Sequence, residues 1–207
     1  MRSGTADLEE AATARRRVNR RDFLLAAAAA PAAVRLALLG LSSLVPTPAC
    51  GEEREATPSH VEGPYYKPRS PERRDLRAGL PGGTLSLRGR VLSTSGEAIS
   101  GALLDFWQAD AQGGYDNEGY RLRGRQFSSR GGGYELLTVV PGPYLDRTPH
   151  VHVKVGPPGG RALTTQLFLP DHPRNRTDPL YREDLRMAVR AAAGGLEAVF
   201  DFVLRIG

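Results

Sequence analysis

Apolar and polar positions change their spacing twice along this 207-residue chain. Residues 26–45 form an Ala/Leu stretch interrupted by Pro31 and Arg35. Residues 51–83 show no apolar period; Pro, Arg and Glu dominate there, around one aromatic island, Glu62-Gly63-Pro64-Tyr65-Tyr66. From Thr84 the pattern becomes alternating, with Leu85, Leu87 and Val91 in TLSLRGRVL, and apolar runs resume in ALLDFW, GYELLTVV, HVHVKV and ALTTQLFL. Successive strand side chains point to opposite faces. Short strands at this spacing, separated by Gly- and Pro-rich segments, predict an all-β protein, an antiparallel β-sandwich. Asp178-Pro179 reads as an N-cap followed by proline at the first helical position, with Gly194 as the stop, so one short C-terminal helix is expected before a last strand over 196–206. The resulting organisation is an export signal at 1–49, a polar arm or linker at 50–83 that docks on the domain, and a β-sandwich domain at 84–207.

The export reading rests on residues 19–25, NRRDFLL, in which an arginine pair precedes Phe and Leu ahead of the Ala/Leu stretch. That is the layout of a twin-arginine signal. Its rival, a transmembrane anchor, needs about 18 uninterrupted apolar residues, which Pro31 and Arg35 prevent. The protein is therefore expected to be periplasmic or otherwise extracytoplasmic. Thr47-Pro48-Ala49 offers a cleavage site, and Cys50 offers a lipidation site that would anchor the chain to a membrane; both alternatives stay open. Cys50 is the only cysteine, so no internal disulfide can form.

Charge narrows the partners. The formal net charge is +5, but residues 1–49 hold seven arginines and four acids, leaving 21 basic and 19 acidic residues beyond them. No basic block tracks a phosphate backbone, and no nucleic-acid partner is expected.

Chemistry concentrates in Pro149-His150-Val151-His152-Val153-Lys154-Val155. As a strand, this segment turns the three valines to one face and His150, His152 and Lys154 to the other. Two imidazoles on one face can converge on a metal ion, or they can be a solvated polar face. His60 and His172 are not placed to complete a sphere, and the cysteine count excludes a closed Cys/His zinc site. The oxygen donors that stand out are Tyr144, six residues before His150, and Tyr115, in the Gly-rich WQADAQGGYDN. A phenol with an ordinary pKa near 10 ionises at neutral pH only beside a strong Lewis acid. Two phenolates with two imidazoles form a hard, anionic donor set that favours Fe(III).

EGPYY, LDFWQADAQGGYDN, PGPYLDRTPHVHV, TTQLFLPDHP and FDFVL, in that order, resemble the intradiol ring-cleavage dioxygenases, and most of all their protocatechuate dioxygenase branch. The resemblance runs over nearly all of residues 59–207. It implies a prealbumin-like sandwich with a non-haem Fe(III) held by Tyr115, Tyr144, His150 and His152. It further implies that Arg147 sits over the substrate ring, that Gln166 lines the same pocket, and that Tyr144 acts as a local base. Cleavage of a small aromatic diol by O2 between its hydroxyl-bearing carbons, giving a muconate-type dicarboxylate, is the implied reaction. A homo-oligomer is compatible with the family. Tyr65 and Tyr66 either shape the pocket or anchor the arm, and Trp107 reads as core.

Two other readings stay open at this point. LRGRVLSTSGEAISGALLDF also resembles the opening hairpin of prealbumin-like modules that only bind, and a divalent Zn or Fe(II) site could be built on the His-x-His pair.

Overall fold

The computed structural model describes residues 53–206, all within one compact unit. The twin-arginine motif, the candidate cleavage site and Cys50 lie outside the described residues. Nine strands form two sheets: β1 (Thr84–Ser93), β2 (Leu103–Gln108), β3 (Arg123–Phe127), β4 (Gly133–Val139), β5 (His150–Gly156), β6 (Leu163–Phe168), β7 (Ala188–Ala192), β8 (Gly195–Val199) and β9 (Phe202–Leu204). One sheet runs β4-β1-β8-β7 with β9 added along β1, and the other runs β3-β2-β5-β6. The sandwich expected from alternation is present. Its second sheet is wholly antiparallel, whereas β8 and β9 pair parallel to β1.

The core lies between the sheets. Leu85, Leu87, Leu136 and Phe202 from the first meet Leu104, Phe106, Val151, Val153, Val155 and Leu167 from the second, and all are at most 1% exposed. Full burial of each such side chain stabilises the fold by roughly 1.5–3 kcal/mol.

Three expectations are corrected. No α-helix forms between Asp178 and Gly194; the chain there makes a 3₁₀ turn at Glu183–Leu185 and then β7, which pairs with β8. A helix this short is marginal in water. Strand pairing instead lets Met187 enter the core and Val189 pack against it. The expected last strand is split, because Phe200 folds over Gly89: its N–H donates to the Arg88 carbonyl, and a Cβ on Gly89 would lie 1.8 Å from the Phe200 oxygen. β3 is a strand that alternation misses, since its buried positions are Arg123, Gly124 and Gln126 while Phe127 is exposed.

The arm docks along its length. His60 N donates to Thr164 O, Arg73 N to Arg125 O and Leu76 N to Leu137 O. Leu76 is part of the core. The segment therefore closes the outer face of the β3-β2-β5-β6 sheet and one edge of the sandwich, rather than only lying over a finished domain.

Candidate active site

β5 is the centre of the site. His150 and His152 leave it on the face away from the core, yet both are buried, at 4% and 3% exposure, because the arm covers them. Gly63 passes so close that a Cβ there would lie 3.5 Å from His152 Cε1. Cross-strand pairing places Trp107 on one side of His152 and Gln166 on the other. The Trp107 ring stacks on the imidazole at 4.8 Å between centroids and 10° between planes.

Hydrogen bonds assign the ring nitrogens. His150 Nδ1 lies 2.6 Å from the Thr148 carbonyl, which can only accept, so Nδ1 carries the proton and Nε2 keeps its lone pair. The two Nε2 atoms face each other at 3.0 Å. Burial pushes His150 down to about 4, and burial together with the neighbouring His150 and Arg147 holds His152 well below the ordinary histidine range. Both imidazoles are therefore neutral, the form that ligates metal.

Two loops bring the phenols to this pair. The β2–β3 loop carries Tyr115 and the β4–β5 loop carries Tyr144, and their backbones interlock through two glycines. A Cβ on Gly113, where φ is +88°, would lie 2.2 Å from the Pro143 oxygen, and one on Gly142 would lie 2.4 Å from the Ala111 oxygen. Gly142 N also donates to Asp110 O at 2.8 Å. Tyr115 and Tyr144 consequently meet edge to face, 5.4 Å between centroids, and the Tyr115 ring lies 6.3 Å from that of His152. Burial raises the Tyr115 phenol well above its usual value, against the pull of Arg147 and Arg123. Tyr144 is also raised, chiefly by its hydrogen bond with Tyr65. Asp110 and Asp116 shape the Tyr115 loop: Asp110 accepts from Gln112 and Gly114, and Asp116 from Glu118, Gly119 and Arg121.

Arg147 and Gln166 join the same cluster. A tight turn with Leu145 in the left-handed region, φ 47°, lets Arg147 N donate to Tyr144 O. Arg147 Nη2 donates to Gln166 Oε1 at 2.6 Å, and Gln166 Nε2 donates to the arm at Val61 O. The structure thus brings together all six residues singled out from sequence.

It also adds three. Tyr65 stacks on Tyr115 at 4.3 Å and 10°, and its hydroxyl is hydrogen bonded to that of Tyr144, making it a third phenol in the cluster. Arg123, 2% exposed, donates from Nη1 to Tyr65 O and from Nη2 to Asp116 O, pinning the arm to the Tyr115 loop. Asp178 accepts from Arg147 Nε through both oxygens. The EGPYY island was a signal for Tyr65. Arg123 and Asp178 had none, because the partners that tie them to the site, Tyr65 for Arg123 and Arg147 for Asp178, are 58 and 31 residues away.

The described residues contain no group of three or more His, Cys, Asp or Glu able to hold a metal; the oxygen donor that ring contacts place beside His152 is the Tyr115 phenol. The fit is good. With metal–imidazole bonds of about 2.1 Å, two Nε2 atoms 3.0 Å apart could both reach one ion. His152 Nδ1 is buried with no hydrogen-bond partner among the described residues. That leaves the ring without the outer hydrogen bond that usually orients a ligating imidazole, and the stack on Trp107 fixes its plane instead.

Residues 61–206 match the family model described as Dioxygenase. The chain belongs to the intradiol ring-cleavage dioxygenase family. Among solved structures of the family, it resembles the dioxygenase domain of a dioxygenase carbohydrate-binding protein fusion from the cellulolytic bacterium Streptomyces sp. SirexAA-E, with 47% identity, a TM-score of 0.72 and coverage of 74% of this chain and all of that one. It also resembles 3-chlorocatechol 1,2-dioxygenase of Rhodococcus opacus 1CP, with 28% identity, a TM-score of 0.67 and coverage of 74% of each chain. Catechol 1,2-dioxygenase of Pseudomonas sp. strain EST1001 is 30% identical over 159 residues, which is 62% of this chain and 53% of that protein. The matched region thus spans little more than half the length of this curated relative.

Proposed function

We propose that this chain cleaves a catechol-type aromatic diol with dioxygen between its two hydroxyl-bearing carbons, using Fe(III) held by Tyr115, Tyr144, His150 and His152. The observation that carries this reading is the pair of buried, neutral imidazoles whose Nε2 atoms face each other at 3.0 Å, with two phenols in the same cluster, in a chain of the intradiol family. Bound there, Fe(III) would supply Lewis acidity that ionises the phenols and draws electron density from the diol. The carbon–carbon bond breaks and both oxygen atoms of O2 enter the product, a muconate-type dicarboxylate, so no external reductant is consumed.

The protein's own groups have separable tasks. Tyr144, on a loop and less buried than the histidines, takes a hydroxyl proton from the entering diol at its phenol oxygen. Arg147 stabilises negative charge that develops on the substrate oxygens, as a fixed cation does in a water-poor site. Gln166 holds that guanidinium and the arm together. Tyr65 and the arm around it exclude water and bound the ring on the Tyr115 side.

Purified from iron-replete cells, the protein is expected to be red-brown from tyrosinate-to-Fe(III) charge transfer and to bleach on iron removal. A colourless protein that holds stoichiometric metal would sink the reading. A panel of catechol, chlorocatechol, hydroxyquinol and protocatechuate, followed by oxygen uptake and product absorbance, selects the substrate. The NRRDFLL segment supports export by the twin-arginine route, with Cys50 as the candidate lipid anchor. Fractionation of cells carrying Arg20 and Arg21 replaced by lysine is the corresponding test: retention in the cytoplasm is expected, and unchanged export would reject the route.

A further inference from the structure

The carboxylate of Asp178 is buried, yet no part of the proposed chemistry uses it. Its oxygens lie 3.0 and 2.9 Å from Arg147 Nε, and Oδ2 also accepts the Thr148 N–H at 2.9 Å. Oδ1 accepts the Leu180 N–H at 2.9 Å, which ties its own loop down. Burial works against the charged form of Asp178, but the Thr148 and Leu180 N–H groups and Arg147 outweigh it, so the carboxyl is held below its usual range and is ionised. A single anion therefore fixes the guanidinium and the backbone two residues before His150.

The consequence for Arg147 is directional. Nε is committed to Asp178 and Nη2 to Gln166, so among the described residues Nη1 is the guanidinium nitrogen with no hydrogen bond. A planar guanidinium gripped at two of its nitrogens has one orientation left for the third. Gln166, which Nη2 holds, is the cross-strand partner of His152, which places the guanidinium beside the cluster. Thr148 is held from the other side as well, its hydroxyl donating to Asn175 Oδ1 at 2.5 Å, and its carbonyl accepts the His150 Nδ1 proton.

We infer that Asp178 is a positioning residue for Arg147: it locks the guanidinium so that Nη1 is presented to the substrate. This rests on the role given to Arg147 above. The test uses the iron-loaded full chain and four proteins: wild type, Asp178→Asn, Arg147→Ala and the double variant. Outer partners that orient reacting groups typically contribute 10- to 100-fold, so Asp178→Asn is expected to lower kcat by roughly 10- to 100-fold with KM changed less than about threefold. The visible charge-transfer band should not move. In the Arg147→Ala background the same substitution should cost less than about twofold, because effects carried through one group do not add. If Asp178→Asn does not accumulate folded, Asp178→Glu keeps the charge on a longer stem, and its smaller kcat loss should likewise vanish when Arg147 is absent. Equal losses in both backgrounds would overturn the inference, as would an unchanged kcat in either Asp178 variant. A colourless wild type, inactive on every diol, would overturn the underlying reading as well; a coloured, active wild type with additive variants would fail only Asp178.

Discussion

β5 is buried on both faces, and the two faces are buried by different means. Its inner face presents Val151, Val153 and Val155 to leucines and phenylalanines of the core, where burial is non-directional and any side chain of similar shape would serve. Its outer face presents His150 and His152 to a covering built from specific polar and aromatic contacts: Trp107, Tyr115, Gln166 and the arm backbone around Gly63. The inner face maintains stability with chemistry that many sequences could supply. The outer face spends stability, since each buried imidazole has been withdrawn from water, in return for two Nε2 atoms held 3.0 Å apart.

Breaking the outer face should therefore cost function and spare the fold. His152→Ala is expected to remove the visible band and lower activity well beyond the roughly 100-fold typical of outer partners, while the metal-free protein melts within a few degrees of wild type. Iron analysis alongside differential scanning calorimetry checks both halves, and retained colour would move His152 off the ligand list. Next in size is Gly142→Ala, whose methyl would press on the Ala111 carbonyl and separate the two tyrosine loops. Overpacking of this kind costs about 1–3 kcal/mol. Here the loss should appear as weaker iron binding and a shifted charge-transfer band, read by spectrophotometric titration.

The inner face should behave in the opposite way. Val153→Ala removes two buried methyl groups and should lower unfolding free energy by about 2 kcal/mol, with kcat per folded molecule within about twofold. Denaturant titration and active-site-normalised kinetics distinguish the two effects.

A pH titration sharpens the contrast in the metal-free protein. His150 falls to about 4 in the fold against 6.5 for an ordinary histidine. The unfolded chain thus binds the extra proton first, and stability present above about pH 6.5 is lost as pH falls toward 4. From His150 alone the loss between pH 7 and pH 5 is about 2 kcal/mol, and replacing His150 by Gln should flatten that slope in urea midpoints. The smallest effect is expected at the arm's latch, where Glu62 pairs with Lys154 and the Lys154 ammonium sits over the Tyr66 ring at 4.3 Å. Glu62 is exposed and Lys154 partly so, and Glu62→Gln should cost no more than about 0.5 kcal/mol in thermal unfolding.

What could be read from the chain depended on whether the signal was local. The alternation in TLSLRGRVL and HVHVKV produced strands where expected, because one face of each had to be apolar to close the core. RGRQF, the β3 segment, escaped notice since its buried positions are Arg123, Gly124 and Gln126, which satisfy the arm and neighbouring strand rather than the core. Asp178-Pro179 carried a helix-start pattern, but the carboxylate accepts N–H groups from Thr148 and Leu180 and pairs with Arg147. A capping residue looks the same in sequence whether its donors come from the next turn of helix or from a loop 30 residues earlier.

By itself, the sequence determined the residue types and their approximate spacing: two histidines on one face of a strand, tyrosines in the loops that lead to it, and an arginine between. Only the tertiary structure decided that the histidine face would be dry, that Tyr65 would join the phenols, and that Asp178 would turn Arg147. Residue type is a local property, so it is visible in the chain. Burial, orientation and the pairing of distant charges are set by which surfaces the sandwich and its arm bring together, and they come into being only once the chain has folded.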